Sequence, residues 1–277
     1  MSEKGVSMSE EEFVNEAISI VEEAREENVT LRILGALAVH IHCKDNPRCV
    51  ELHKSLERLG EGKPMFTDLD LIGYKAQRKH IKKFFEDKLR FIPDRRLNTL
   101  FGSRRNIFYH PERGYAVDIF FSKLEFSHTV YFGEKPGKGR LELDFPTITP
   151  ADIVLEKVQI HQINMKDIVD LIVLLLCHEL SPTEEKDKIN YKYIAETLSD
   201  DWGFWYDAVN NLKKVKSFTA KFSEQRKLRM EEAQTVIGRV DDLLKAIDEE
   251  PKTKGWVKRS KTGTKKPWYR PVDEVVR

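Results

Sequence analysis

Between residues 9 and 27, apolar side chains recur every three or four positions, at Phe13, Ala17, Ile20, Val21 and Ala24, with glutamates between them. That period predicts an amphipathic helix. Ser9, with Glu12 three residues on, has the form of a capping box at its start. TLRILGALAVHIHC, residues 30–43, predicts a short strand through Leu34, a turn at Gly35 and a helix from about Ala36. The polar stretch from Cys43 to Met65 should end that helix and hold another around Val50–Leu59. FTDLDLIG, residues 66–73, predicts a strand, with Phe66, Leu69, Leu71 and Ile72 as strand formers and Gly73 as the stop. Residues 76–90 place Ile81, Phe84, Phe85 and Leu89 at helical spacing, with basic residues opposite.

From 96 to 126 the period becomes two and aromatic. RNIFY (105–109), the turn HPERG and YAVDIFF (115–121) read as a β-hairpin, and further β-like sequence follows at 128–132 and 140–145. At Thr149 the grammar switches. Thr149 at N-cap, Pro150 at N1 and Asp152 at N3 announce a helix, and helical patterns dominate to about Glu249. Residues 251–277 lack periodicity and hold three prolines, which predicts an extended tail. The expected fold class is therefore α+β, a small mixed sheet flanked by helices and followed by a helical region. Its expected parts are 1–148 (α/β, N-terminal helix included), 149–250 (helical, packing on it) and 251–277 (basic tail). No internal repeat is visible.

A hydrophobic content of 40% can build a core, and a charged content of 34% implies a strongly ionic surface. The net charge of +1 hides an asymmetry. Residues 1–28 hold nine Glu against Lys4 and Arg25, a balance of −7; residues 251–277 hold nine Lys or Arg against Asp273 and Glu274, a balance of +7. Such a tail meets an anion or the acidic head, or is simply solvated. The cysteines, Cys43, Cys49 and Cys177, are odd in number and lack CxxC spacing, so the linear pattern supports neither a disulfide framework nor a zinc knuckle. The longest apolar run, LIVLLLC at 171–177, is too short to span a bilayer, and no basic-then-apolar leader opens the chain. The expectation is a cytoplasmic protein with no membrane partner.

FTDLDLIG carries the candidate chemistry. On a strand, Asp68 and Asp70 share a face about 6–7 Å apart, and like charges there repel unless something compensates. Asp118 in YAVDIFF lies between Val117 and Ile119, where a lone acid is unfavourable without a partner. If the two strands are neighbours, three carboxylates converge into a hard-oxygen site suited to Mg²⁺ or Mn²⁺. Such ions can hold a triphosphate for in-line displacement at phosphorus. The bland alternative is a salt bridge or a water-facing position for each acid.

LRILGALAVHIHC, then FTDLDLIG, then YAVDIFFSKLEF, resembles in that order the nucleotidyltransferase-like (polymerase β-type) superfamily, and most of all its AbiEii-type toxin-related prokaryotic branch. The family's later Lys and Lys/Arg-Asp-x-x-Asp helix look like Lys157 and KDIVDL, with Asp167 and Asp170; the likeness covers roughly residues 30–176. It implies transfer of a nucleoside monophosphate from a nucleoside triphosphate to a hydroxyl of an RNA such as tRNA, or of a protein, and a protein antitoxin as a further partner. Asp68 and Asp70 would bind metal, and Asp118 would bind a second ion or act as general base. Gly35 and the backbone of Ala36 would cradle phosphate at a helix start, with Thr67, Arg104 and Arg105 as further nucleotide contacts. Lys157 would neutralise triphosphate charge. Asp167 and Asp170 share a helix face, one expected to orient Lys157 and the other to pack the helix. Ala36 stands where the family has a second Gly or a Ser, which motivates a second reading: a protein of this fold that binds nucleotide, RNA or a partner without chemistry.

Other features read as structural. His40 and His42 diverge on a helix, so they are expected to be satisfied or exposed histidines rather than ligands. Trp202, Phe204, Trp205 and Tyr206 read as a packed aromatic cluster. Trp256, Trp268 and Tyr269 among the tail's basic residues suit single-stranded nucleic acid or a strap across the protein's own surface.

Overall fold

The computed structural model describes residues 8–56, 60 and 63–272. The first half runs α1 (Glu10–Glu26), β1 (Leu31–Ile33), α2 (Gly35–Cys43), α3 (Pro47–Ser55), β2 (Asp68–Gly73), α4 (Arg78–Lys83), β3 (Ile92–Pro93), α5 (Arg95–Phe101), β4 (Arg105–Tyr109), β5 (Ala116–Phe121), β6 (Lys123–Glu125) and β7 (Thr129–Tyr131). The second runs α6 (Pro150–Val158), α7 (Met165–Cys177), β8 (Leu180–Ser181), β9 (Ile189–Asn190), α8 (Tyr191–Asp200), α9 (Trp202–Glu224), α10 (Met230–Glu249) and α11 (Lys254–Ser260). The fold is mixed α/β with a helical C-terminal region. The chain divides into two compact units: Met1–Ile41, Glu61–Leu124 and Tyr131–Ile148 form the first, and His42–Gly60, Glu125–Val130 and Thr149–Arg277 the second.

The first unit is built on a five-stranded sheet in the order β1-β2-β5-β4-β3. β2 and β5 run parallel, and the other neighbours are antiparallel. The alternation of side chains sorts the strands into two faces. Leu69, Leu71, Val117, Ile119 and Phe108 line one, all buried, and Phe85 stacks on Phe108 with ring centroids 5.1 Å apart. α1 forms as its pattern predicts: Ser9 and Glu12 close the capping box, and Phe13, Ala17, Ile20, Val21 and Ala24 are the buried face. The hairpin of β4 and β5 also forms.

Three expectations fail here. The period-two reading from residue 96 does not hold over 95–101, which form a helix with the Asp94 carboxylate capping the backbone N–H of Leu97. Residues 140–145 are turn and bends. Their backbone is satisfied by a mixture of partners and not by a ladder: Arg140 N–H donates to the Phe132 carbonyl, Leu141 N–H to the Tyr74 hydroxyl, and the Asp144 carbonyl accepts from the buried Arg32 guanidinium. The helix expected over 76–90 breaks into a 3₁₀ turn (75–77), α4 and a π turn (84–88).

The second unit is a helical assembly around α7, whose residues Ile168–Leu175 are all buried. Each such apolar side chain contributes about 1.5–3 kcal/mol, so this core outweighs any single cap. The helix expected around Val50–Leu59 begins earlier, at Pro47 behind an Asn46 cap, and its expected end at 57–59 lies outside the described residues. α6 starts as predicted, with the Thr149 hydroxyl accepting from Asp152 N–H. Among the described residues, no helix is long and apolar enough to cross a membrane.

Candidate active site

The parallel register of β2 and β5 pairs Asp70 with Asp118. Paired residues on neighbouring strands point to the same face, and Asp68, two positions before Asp70, joins them. The fold thus brings the three carboxylates onto one face of the sheet. Asp118 is buried, while Asp68 and Asp70 are half-buried. On the adjacent β4, Arg105 reaches the same face, its Nη1 3.5 Å from Asp118 Oδ2, with Phe101 and Phe120 rings beside the guanidinium. Arg104 is exposed and Arg105 half-buried. The exposed Thr67 donates its hydroxyl to Asp68 Oδ1 at 3.0 Å and borders a cleft of about 280 Å³.

Gly35 is the first residue of α2 and holds a φ of +69°, a left-handed conformation that glycine adopts without the Cβ penalty. The preceding Leu34 N–H donates to the Asp70 carbonyl at 2.9 Å, which ties this turn to the strand bearing the acids. The half-buried Ala36 follows in the first turn of the helix, where backbone N–H groups lack intrahelical partners. Carboxylate oxygens beside a helix N-terminus are a donor set that a hard divalent cation and a phosphate take together.

Lys157, Asp167 and Asp170 belong to the second unit and form a network of their own. Lys157 Nζ lies 3.0 Å from Asp167 Oδ1 and 2.9 Å from Asp170 Oδ2. Both acids therefore hold the lysine, where one was expected to pack the helix. Asp170 also takes a 2.8 Å hydrogen bond from His53 Nε2 of α3, with both side chains fully buried. His53 escaped the sequence reading. Its signal was present: Cys49, Leu52, His53 and Leu56 recur at helical spacing as one apolar stripe.

The tail is not wholly extended, because Thr253 caps α11 at 254–260. Its aromatic residues are spent on their own unit. Trp256 packs edge-on against Trp205 at 5.1 Å, and Tyr269 stacks on His161 at 3.6 Å. Trp268 donates its indole N–H to Asp207 Oδ1 at 3.1 Å. Arg270 bonds the Phe126 and His128 carbonyls. Asp207 is buried, which raises its pKa, but hydrogen bonds from His128, His161 and Trp268 outweigh burial and hold it below the usual carboxylate value. Trp202 and Phe204 are buried as expected. His40 packs on Phe66 and His42 on His178, with His42 Nδ1 3.7 Å from Asp187 Oδ1.

Comparison of the chain with family models, with curated proteins and with solved structures gives no match.

Proposed function

We propose that this chain is a Mg²⁺- or Mn²⁺-dependent nucleotidyltransferase of the polymerase β type. In the reaction, an acceptor hydroxyl oxygen bonds to the α-phosphorus of a nucleoside triphosphate as the bond to pyrophosphate breaks. The acceptor proposed is an RNA such as tRNA, or a protein, and a toxin-like role would add a neutralising protein partner. The observation that carries the reading is the in-register pairing of Asp70 with Asp118, with Asp68 on the same face.

The divalent ion, when bound, would offset phosphate charge and fix the in-line geometry. Asp68 and Asp70 would hold it, and Asp118 would accept the acceptor's proton or hold a second ion. Gly35 lets the chain turn so that the N–H groups opening α2 face the terminal phosphates. Arg105 has a buried Nη2 with no hydrogen-bond partner among the described residues, a donor suited to a phosphate oxygen. Lys157, which pairs with Asp167 and Asp170, is assigned here to support of its own helix pair.

A second reading, nucleotide or partner binding without chemistry, is favoured by the cation already on Asp118 and by Ala36 in the phosphate turn. Labelled nucleoside triphosphates, Mg²⁺ or Mn²⁺ and a total tRNA or lysate pool separate the two. Transfer that is lost in Asp70→Asn and Asp118→Asn supports the enzyme. No transfer by the unaltered chain, or equal transfer by the variants, removes it. Thermal stabilisation by metal and nucleotide without transfer then selects the second reading.

A further inference from the structure

Cys43 closes α2, Cys49 lies in the first turn of α3, Cys177 closes α7 and His178 follows it. These positions are far apart in sequence, yet the second unit gathers them. Among the described residues, Cys43, Cys177 and His178 are the one group of three potential ligands whose donor atoms all lie within 4.8 Å of one another. Cys49 lies outside that 4.8 Å group but beside the other two thiols, and it is itself fully buried. Cys43 and His178 are buried too, and Cys177 is partly exposed.

The imidazole is already oriented. His178 Nδ1 donates to the Asp187 carbonyl at 2.7 Å, which places the proton on Nδ1 and leaves the Nε2 lone pair facing the sulfurs. Cys43 Sγ and His178 Nε2 are 3.9 Å apart. Tetrahedral zinc, with bonds of about 2.3 Å to sulfur and 2.0–2.1 Å to nitrogen, sets its ligand atoms about 3.6 Å apart, so the Cys43–His178 pair needs to close by a few tenths of an ångström, while Cys177 and Cys49 must move further to complete the set. Three thiolates and a neutral imidazole leave one negative charge on a zinc complex. Arg239 stands nearby to offset it, donating to the Leu175 and Leu176 carbonyls at the end of α7 at 2.7 and 2.9 Å.

We propose that Cys43, Cys49, Cys177 and His178 form a closed structural site for a soft-to-borderline divalent cation, zinc above all, that pins the ends of α2 and α7 to α3. Binding converts each thiol to a metal-bound thiolate and releases its proton to solvent. No position is left open for water, so the ion holds structure and does no chemistry. The proposal is independent of the nucleotidyltransferase reading.

The test uses the full chain, without a metal-binding tag, purified under reducing conditions and stripped by chelator. Titration with Co²⁺ should give the visible bands of a tetrahedral ion together with sulfur-to-cobalt charge transfer, and Zn²⁺ should displace both and raise the melting temperature. Cys177→Ser, at the partly exposed position, should weaken binding by at least about 100-fold and reduce the charge-transfer band. Absence of the charge-transfer band in the unaltered chain overturns the proposal, and that measurement needs no variant to fold. So does intact mass showing two hydrogens lost in a disulfide after purification with reductant, or unchanged Co²⁺ affinity in Cys177→Ser.

Discussion

Gly35 and Lys157 show how single residues are constrained. Gly35 sits at a φ of +69°, where a Cβ meets the following carbonyl. Gly35→Ala should therefore lower stability by about 1–2 kcal/mol, read as a lower urea midpoint with an unchanged slope. Lys157 is buried between two carboxylates, one of them itself fully buried. Taking both charges out of water is costly, and their attraction repays it only while the set is complete. Lys157→Met removes the cation facing the buried Asp170, and a loss of about 3–5 kcal/mol is expected by denaturant unfolding. A change under 1 kcal/mol would mean that the lysine is not tied into this network in solution. The residue scale also shows what linear spacing hides. Cys43, Cys177 and His178 follow no metal-binding spacing, because their proximity comes from helix packing and not from a loop.

Elements were legible where the cause of the structure is local. The capping box of α1 and the Thr149-Pro150 start of α6 are side-chain chemistry within one turn, and both formed as read. Thr149→Ala removes the hydroxyl that accepts from Asp152 N–H and donates to its carboxylate, at a buried position. The expected cost is about 1–2 kcal/mol, and thermal unfolding should register it while Ser9→Ala, at an exposed cap, costs less. The alternation of β2 likewise gave the shared face of Asp68 and Asp70. Elements whose cause is distant were misread. RLELDF alternates like a strand, yet its backbone partners include the side chains of Tyr74 and Arg32, which no local pattern announces. α5 and α11 are each seven residues long, too short for a period to declare itself, and only their caps, Asp94 and Thr253, marked them. The meeting of Asp70 and Asp118 could only be stated as a condition, because strand order is a property of the sheet and not of either strand.

At a larger scale, Asp207 brings together distant stretches of the second unit's sequence, taking hydrogen bonds from His128, His161 and Trp268. Its folded pKa lies below the ordinary 3.8, so the stability it contributes is complete above that pH and is lost as pH falls through the lower folded value. Trp268→Phe should cost about 1.5–3 kcal/mol at pH 7, and the difference from the unaltered chain should shrink in unfolding series taken below pH 3.8. A difference that stays constant with pH would assign the loss to packing alone. The division of the chain has a practical bearing on dissection. Residues 42–60 and 125–130 belong with Thr149–Arg277, so the polypeptide crosses from one unit to the other and back before its C-terminal half begins. A fragment cut at Thr149 is deprived of His53, Cys43, Cys49 and His128, and with them the partners of Asp170, Cys177 and Asp207. Expressed alone it should aggregate or remain unfolded by circular dichroism, and regaining solubility when coexpressed with 1–148 would mark the halves as complementing pieces of an interleaved whole.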